Sequence, residues 1–144
     1  MKTITIQQPW ANLICEGVKD IENRTWQTHY RGKVLIHAAA KAWSIKQLCF
    51  YFTQEMTNAL RAIGFNIETV YNMPKGKIIG SVDIIDCVVG HSSIWAELTS
   101  YNWVLANPVL FPEPIPAKGK LSFWEFPMIE EEVLTNDIKI LNHV

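Results

Sequence analysis

The longest β-branched run in the chain is the feature that most constrains its fold. Residues 77–89 read KIIGSVDIIDCVV. A run of this composition is typical of a strand buried in a sheet. Gly80 permits a β-bulge or a sharp bend, and a sheet needs such bends to close into a barrel. The run therefore predicts the central strand of a curved sheet.

Shorter segments have the composition of further strands. They are residues 3–6, 33–38, 102–106 and 121–126. The first alternates polar and apolar side chains, the period of a strand with one buried face. Four prolines lie between positions 108 and 116, and proline is excluded from central strands because it lacks an N–H donor. We therefore expect a sheet of roughly five to seven strands with a turn-rich segment before the last one.

Two helical patterns accompany the strands. Pro9 suits the first turn of a short helix, and Gly17 provides its left-handed stop. Ser44 and Gln47 form a capping box at the start of a second pattern, which predicts one long helix to Ile63. Covering the sheet explains its apolar stripe, so three aromatics receive no functional role: Phe50, Tyr51 and Phe52.

Two connecting segments carry shorter signals. Pro74 and Gly76 interrupt residues 66–77, which therefore predict a loop. Ser92 and Ser93 follow the central strand, and either serine can cap a short helix there.

A charged stretch at residues 17–26, GVKDIENRTW, is the strongest candidate for a site. If the segment is extended, side chains alternate, so Glu22 and Arg24 share one face with Trp26. A carboxylate and a guanidinium beside an aromatic ring can read the hydrogen-bonding edge of a polar ligand. Lys19 lies close enough to meet a phosphate or a developing negative charge. The alternative is a surface ion pair near a hairpin, which is common and weakly stabilising.

Composition restricts the classes of function. The net charge is −1, from 13 basic and 14 acidic side chains, so any contact with nucleic acid must be local. Basic residues collect in the first third of the chain, and acidic residues collect at 130–132. No glycine-rich phosphate loop, nucleophile elbow or zinc-binding spacing of histidine and cysteine occurs. We therefore expect no cofactor and no metal.

Two further features predict a cytoplasmic protein. No apolar run approaches the roughly 20 residues of a membrane span, and the segment after Met1 lacks a secretory signal, so we expect no membrane partner. The three cysteines, Cys15, Cys49 and Cys87, are widely spaced and flanked by apolar residues. This pattern predicts buried, reduced thiols rather than disulfides or a metal site.

Motifs along the chain resemble those of one known family. The most specific are Ile6-Gln7-Gln8-Pro9-Trp10, Gly17, Lys19, Glu22-Asn23-Arg24, Trp26, Tyr30-Arg31-Gly32 and Leu35-Ile36-His37-Ala38. The later ones are Gly80-Ser81-Val82, Asp86-Cys87, Trp103-Val104-Leu105, Gly119-Lys120 and Phe123-Trp124. Over about residues 3–126 the chain resembles the ASCH (activating signal cointegrator homology) domain.

The resemblance implies an α+β fold, a small mixed β-barrel of the PUA-like class with flanking helices, related to RNA-binding modules. It implies a barrel domain over residues 1–126. Residues 127–144 are interpreted as a tail packed on the domain or on a partner. The expected ligand is RNA, a nucleotide or a nucleoside, and the sequence does not determine the oligomeric state.

The resemblance also implies a cleft near the charged stretch. We expect its ligand-binding side chains to be Gln8, Trp10, Lys19, Glu22, Arg24, Tyr30, Arg31 and His37. Trp10 and His37 each have an alternative interpretation as core residues, because a histidine inside an apolar strand is often a satisfied core group. Trp103 and Trp124 are predicted to be core, since aromatics supply much of a small core.

Two functions remain open from the sequence. A binding module would hold a base by aromatic stacking and by hydrogen bonds to its edge. The alternative is a hydrolase, because some similar proteins are amidohydrolases acting on an acetylated cytidine and others are ribonucleases. Those amidohydrolases carry a threonine where this chain has Glu22, and Thr25 would face the opposite way. In an enzyme, Lys19 and Glu22 would do the acid and base work.

Overall fold

The structure, a computed structural model, describes residues 1–128. The strands are β1 (Lys2–Ile6), β2 (Ile21–Arg24), β3 (Gly32–Ala38), β4 (Lys77–Val88), β5 (Tyr101–Pro116) and β6 (Phe123–Glu125). The helices are α1 (Trp10–Cys15), α2 (Ile45–Tyr51) and α3 (Gln54–Ala62), followed by a 3-10 helix (Ile67–Asn72).

The described strands form one mixed sheet in the order β2-β5-β4-β3-β1-β6. β1 and β3 run parallel, and the other neighbours are antiparallel. β4 lies between β3 and β5, so the long β-branched run is a central strand, as predicted. The sheet curls into a six-stranded half-barrel. This confirms the α+β class and the small mixed barrel.

Gly80 allows β4 to approach β5 closely. The pairing register shifts between Ile78 and Gly80, as expected for a bulge. A β-carbon at Gly80 would lie 2.0 Å from the Val109 carbonyl oxygen and 2.8 Å from the Cys15 sulfur. Only glycine fits this position without moving the backbone of β5.

Aromatic rings hold the two ends of the curled sheet together. Phe123 in β6 stacks on Trp103 of β5, with ring centroids 5.3 Å apart. Phe123 also contacts Trp26, just after β2, edge to face at 5.4 Å. These contacts close the half-barrel on a side where, among residues 1–128, no hydrogen-bonded ladder joins β2 to β6.

The proline-rich segment is a strand, so our expectation of a turn-rich segment is wrong. β5 continues to Pro116, which pairs with Lys77 of β4. β2 pairs with β5 only as far as Val104. Within residues 1–128, the rest of β5 is therefore paired on one side only. Prolines are tolerated there because the outer side of an edge strand needs no N–H donors.

The predicted single helix after Ser44 is in fact two helices. The Ser44 side chain accepts from the Gln47 N–H, and the Gln47 side chain accepts from the Ser44 N–H, which confirms the capping box. α2 ends where Phe52 is extended, and the Thr53 side chain caps α3 by accepting from the Met56 N–H. The continuous apolar stripe concealed this second cap.

The connecting segments also differ from expectation. Residues 66–77, predicted to be a loop, contain the 3-10 helix. The segment after Ser92 contains turns instead of the predicted helix. Ser93 Oγ accepts from the Trp95 N–H at 3.2 Å and donates to Asp20 Oδ1 at 2.6 Å. The serine cap is therefore present without a helix behind it.

Buried apolar residues form two clusters. The larger contains Trp103 and most of α1, and the smaller is formed by Leu35, Ile78, Phe111, Trp124 and Met128. Trp103 and Trp124 are both buried, as predicted. Trp10 belongs to the larger cluster and also lines the two cavities of the candidate site, so these cavities lie beside that cluster.

The three cysteines are free thiols. Cys15 is buried, and burial raises its thiol pKa. Cys87 is only partly buried, so the prediction of three buried thiols is wrong for it. It is also wrong for Cys49, which is exposed on α2. The side chain lies on the outer face of a helix whose one fully buried residue is Leu48.

The carboxyl-terminal predictions fall largely outside the described residues. Residues 129–144, which include the acidic run, are not among them, so both the packing of the tail and the domain boundary at 126 stay predictions. No helix within residues 1–128 is long and apolar enough to cross a membrane. The cytoplasmic location also stays a prediction.

Candidate functional site

The turn after α1 directs Lys19 into the protein. Gly17 has a φ of 80°, a left-handed conformation that glycine adopts without strain. The N–H groups of Val18 and Lys19 both donate to the Leu13 carbonyl, at 2.9 and 3.0 Å. The chain then enters β2, and Lys19 is left only 4% exposed.

Lys19 is a buried cation with polar and aromatic partners. Its Nζ donates to the Ile21 carbonyl and lies 3.8 Å from Glu22 Oε1. The same nitrogen lies 5.7 Å from the Trp10 ring centroid, a cation–π contact. Burial lowers the pKa of Lys19, while the negative charges of Glu22 and Glu97 act in the opposite direction. This amine therefore loses its proton more readily than an exposed lysine does.

Glu22 and Arg24 form an ion pair on one face of β2. Arg24 donates from Nε and Nη2 to Glu22 Oε2, at 3.1 and 2.9 Å. Nη2 also donates to the Thr5 carbonyl at 3.0 Å, which ties the pair to β1. Both bonds from Arg24 use Oε2, so Oε1 remains on the side of Lys19.

Two adjoining cavities surround these charges. The inner cavity has a volume of about 100 Å³ and is lined by Trp10, Lys19, Glu22, Asn23, Trp43, Tyr51 and Glu97. The outer cavity has a volume of about 400 Å³ and is lined by Thr5, Ile6, Gln7, Trp10, Glu22, Asn23, Arg24, Thr25, Trp26 and Trp43. Four of these residues are common to both cavities, which therefore share a wall.

Three aromatic rings form one wall of the inner cavity. The Trp10 ring centroid lies 5.1 Å from that of Trp43 and 4.9 Å from that of Tyr51. Trp43 and Tyr51 meet edge to face at 5.3 Å. The Trp43 indole donates to Gln7 Oε1 at 3.0 Å, which fixes the orientation of its ring. This aromatic wall is suited to a flat ligand.

Sequence reasoning missed four residues of the inner cavity: Asn23, Trp43, Tyr51 and Glu97. Asn23 connects β2 to the segment before β5, because its Oδ1 accepts from the Glu97 N–H at 3.0 Å. The Tyr51 hydroxyl donates to Glu97 Oε1 at 3.0 Å. Burial, and then the charge of Glu97, raises the Tyr51 pKa. Only Asn23, inside the motif Glu22-Asn23-Arg24, had a signal in the sequence.

Comparison with known proteins agrees with the motifs of this site. The sequence pattern of the ASCH domain matches residues 4–114. The chain belongs to the ASCH domain family. The human (Homo sapiens) protein Activating signal cointegrator 1 is 30% identical to it over 130 residues, 85% of this chain and 22% of the relative. The mouse (Mus musculus) protein of the same name is 29% identical over 130 residues, with the same coverage of 85% and 22%. The chain thus spans about a fifth of the length of these curated relatives.

His37 lies inside this ASCH domain, outside the two cavities. Its Nε2 lies 2.7 Å from the Ala117 carbonyl and its Nδ1 lies 3.2 Å from Thr5 Oγ1. A carbonyl only accepts, so Nε2 carries the proton and Nδ1 accepts from the Thr5 hydroxyl. Thr5 Oγ1 accepts in turn from the Trp124 indole at 3.1 Å. The protein therefore provides a partner for each ring nitrogen, as the alternative interpretation of His37 as a core residue expects. Neither ring nitrogen bonds Glu22.

Gln8, another predicted ligand-binding residue, supports α1 of the ASCH domain. Its Oε1 accepts from the Asn12 N–H at 2.9 Å, and its Nε2 donates to Asn12 Oδ1 and to the Pro74 carbonyl, at 2.6 and 2.9 Å. Gln8 is fully buried and does not line either cavity. Its bonds fix the helix that carries Trp10.

Tyr30 and Arg31 lie beyond the outer cavity. The Tyr30 hydroxyl donates to the Lys33 carbonyl at 2.6 Å. Arg31 donates to the Thr28 carbonyl at 3.0 Å and lies 3.8 Å from the Asp86 carboxylate. The structure therefore brings together Trp10, Lys19, Glu22 and Arg24, and it places the other four predicted residues outside the cavities.

The acidic groups of the site pair with donors of the protein. Glu22 accepts from Arg24, and Glu97 accepts from the Tyr51 and Ser100 hydroxyls through different oxygens. Among residues 1–128, no group of three histidine, cysteine or acidic side chains is placed to hold a metal ion. Both carboxylates therefore have hydrogen-bond donors within the protein.

Proposed function

We propose that this ASCH domain binds a nucleotide, or an unpaired base of RNA, in the cavities around Lys19, Glu22 and Arg24. The family is associated with RNA binding. The combined cavities suit a small flat ligand with a charged group, because sites for such ligands reach several hundred Å³ and carry a few placed polar groups.

One observation carries this proposal: buried charges line the inner cavity. Lys19 is 4% exposed and Glu22 is 8% exposed, and both line it. Burying charged groups costs free energy unless hydrogen bonds complete them. A cluster of this kind contributes little to stability, so its presence beside a cavity favours recognition of a polar ligand.

Each part of a nucleotide has a complementary group in the site. Trp43 lines both cavities and is only partly buried, so it is the aromatic side chain that a base can reach. Stacking of a base on an aromatic side chain is worth about 1–3 kcal/mol. The carboxylates of Glu22 and Glu97 accept N–H groups of a base edge, while Lys19 donates to a carbonyl or ring nitrogen. Arg24 lines the outer cavity, where its guanidinium suits a phosphate.

Hydrolysis of RNA or of a modified nucleoside is a second candidate, which one observation favours. The pKa of Lys19 is lowered by burial, and Glu22 lies 3.8 Å away. A deprotonated Lys19 amine can take a proton from water, and the ammonium that forms beside the Glu22 carboxylate can return that proton to a leaving group. Glu22 replaces the threonine of similar amidohydrolases, so we propose no covalent intermediate through a hydroxyl at that position.

One experiment separates the two candidates. The protein is titrated calorimetrically with nucleosides, mononucleotides and short single-stranded RNA, and each mixture is then analysed by chromatography. Binding with unchanged ligand supports the binding module. Product that forms with the parent protein and fails to form with Lys19→Met supports the hydrolase. Arg61→Ala, on the exposed face of α3, is the control for a lost surface charge. A protein that neither binds nor converts any of these ligands contradicts both candidates.

A further inference from the structure

The surface beside the outer cavity continues along the segment between β2 and β3, residues 25–31. Alternate side chains of this segment are exposed, namely Thr25, Gln27, His29 and Arg31. All four carry hydrogen-bond donors. The residues between them, Trp26, Thr28 and Tyr30, are less exposed. The segment therefore presents a row of donors that begins at the rim of the outer cavity, where Thr25 is part of the lining.

Lys2 places a cation against the same segment. Its Nζ lies 4.9 Å from the Tyr30 ring centroid and 5.1 Å from the Phe123 ring centroid. Phe123 contacts Trp26 at 5.4 Å, and Trp26 lines the outer cavity. A continuous set of ring contacts thus connects the cavity with Lys2.

Among residues 1–128, acidic groups only partly offset this surface. Residues 25–31 contain no carboxylate. Asp86 lies 3.8 Å from Arg31, and Glu125, opposite Lys2 in the ladder of β1 and β6, pairs with the amino terminus at 3.2 Å. Within residues 1–128, Lys2 takes part in no ion pair. Its charge therefore remains available to a polyanion.

We propose that residues 25–31 together with Lys2, the 25–31 track, bind the sugar-phosphate backbone of a single-stranded RNA whose base occupies the two cavities. This inference rests on the proposed function and makes its ligand more specific: an oligonucleotide rather than a free nucleotide. Seven residues span at most about 23 Å when fully extended, and the bends at Thr25 and Trp26 shorten this, so the track reaches a few nucleotides. Sites for single strands combine such a row of positive groups and donors with aromatic faces for the bases.

The test compares a mononucleotide with single-stranded RNAs of increasing length, from two to eight nucleotides, in the same calorimetric titration. We expect affinity to rise about tenfold between the mononucleotide and a four-nucleotide RNA, with little further gain, because the track has limited length. We also expect the affinity of the RNA to fall more steeply with salt than that of the mononucleotide, since more phosphates are contacted.

A pair of matched double variants locates the effect on the track. Lys2→Ala with Gln27→Ala removes one lysine and one glutamine from the track. Lys46→Ala with Gln54→Ala removes the same residue types from the exposed faces of α2 and α3. We expect the first to lower the ratio of RNA affinity to mononucleotide affinity about fivefold, and the second to change it by less than about twofold.

The outcomes distinguish this inference from the proposed function. Equal affinity for the mononucleotide and the longer RNAs would overturn the track and leave the nucleotide site standing. The track is also wrong if both double variants change the affinity ratio equally. Failure of the parent protein to bind any of these ligands would show that the proposed function itself is wrong. The proposal of the 25–31 track would then be wrong as well.

Discussion

Two buried polar clusters meet at β1. One is enclosed by the protein, and the other lines the two cavities. The interior cluster consists of the Thr5 side chain, His37, the Ala117 carbonyl and Trp124. The cavity cluster consists of Lys19, Glu22 and Arg24. Thr5 belongs to both, because its hydroxyl bonds within the interior cluster and its carbonyl accepts from Arg24.

The difference shows that burial of a polar side chain does not by itself mark a functional site. His37 is 1% exposed, yet the protein provides a partner for each ring nitrogen. Lys19 and Glu22 are nearly as buried, but they line a cavity. The interior cluster should therefore affect stability, and the cavity cluster should affect binding.

The largest effect is expected from His37→Ala. The change removes both hydrogen bonds of the imidazole and leaves a cavity, which should lower the free energy of unfolding by about 3 kcal/mol. Urea denaturation measures the loss, with His29→Ala at an exposed position as the control. Ligand binding of the folded variant should be unchanged. Lost binding with full stability would instead place His37 in the site, as the sequence predicts.

Arg24→Ala should weaken binding, and it should also lower stability because the buried Glu22 carboxylate loses its two bonds from Arg24. It removes a guanidinium from the outer cavity, and loss of a charge-assisted hydrogen bond weakens binding by about 1–3 kcal/mol. The measurement is calorimetric titration with the ligand that the parent binds, beside Arg61→Ala as the control. An Arg24→Ala protein with the affinity of the parent would show that the site lies elsewhere.

Thr5→Val tests the residue that the two clusters share. The variant loses the hydroxyl that bonds His37 and Trp124 but keeps the carbonyl that accepts from Arg24. Stability should fall by about 1–2 kcal/mol, and binding should stay within twofold of the parent. Urea denaturation and titration of the same preparation give both values. A loss confined to binding would contradict the assignment of the Thr5 hydroxyl to the interior cluster.

The smallest effect concerns pH. The ordinary pKa of a lysine is 10.5, and folding lowers the pKa of Lys19 below that value. At pH values between the folded pKa and 10.5, the unfolded chain therefore binds more protons than the folded protein. Stability consequently rises with pH over this range. Lys19→Met lacks this contribution. It should be more stable than the parent by about 1 kcal/mol at neutral pH, and the gap should narrow toward pH 10. Denaturation at several pH values measures the gap, and a constant gap would contradict the lowered pKa.

The sequence predicts those features that depend on local pattern. The β-branched run specifies β4, and alternation along β2 puts Glu22 and Arg24 on one face. The capping box at Ser44 sets the start of α2. In each case the residues that carry the pattern lie in the predicted element or next to it. Packing against other elements therefore does not change which structure forms.

Other features depend on what packs beside them. Tyr51 and Glu97 meet in the inner cavity although 46 positions separate them, and nothing near either residue indicates the other. His37 has the same local sequence whether it faces a cavity or a carbonyl. The strand through Pro108 could not be predicted, because proline is tolerated in a strand that is unpaired on one side. The local sequence does not show which strands are unpaired.

The prolines of β5 have a consequence for how the protein behaves in crowded solution. Among residues 1–128, β5 is a strand of 16 residues that is paired on one side over most of its length. Such an edge offers a template for other chains, the starting point of sheet-mediated aggregation. Each proline removes one N–H donor from that template, and four occur between positions 108 and 116. The long strand that shapes the half-barrel thereby resists addition of a foreign strand along the side that residues 1–128 leave unpaired.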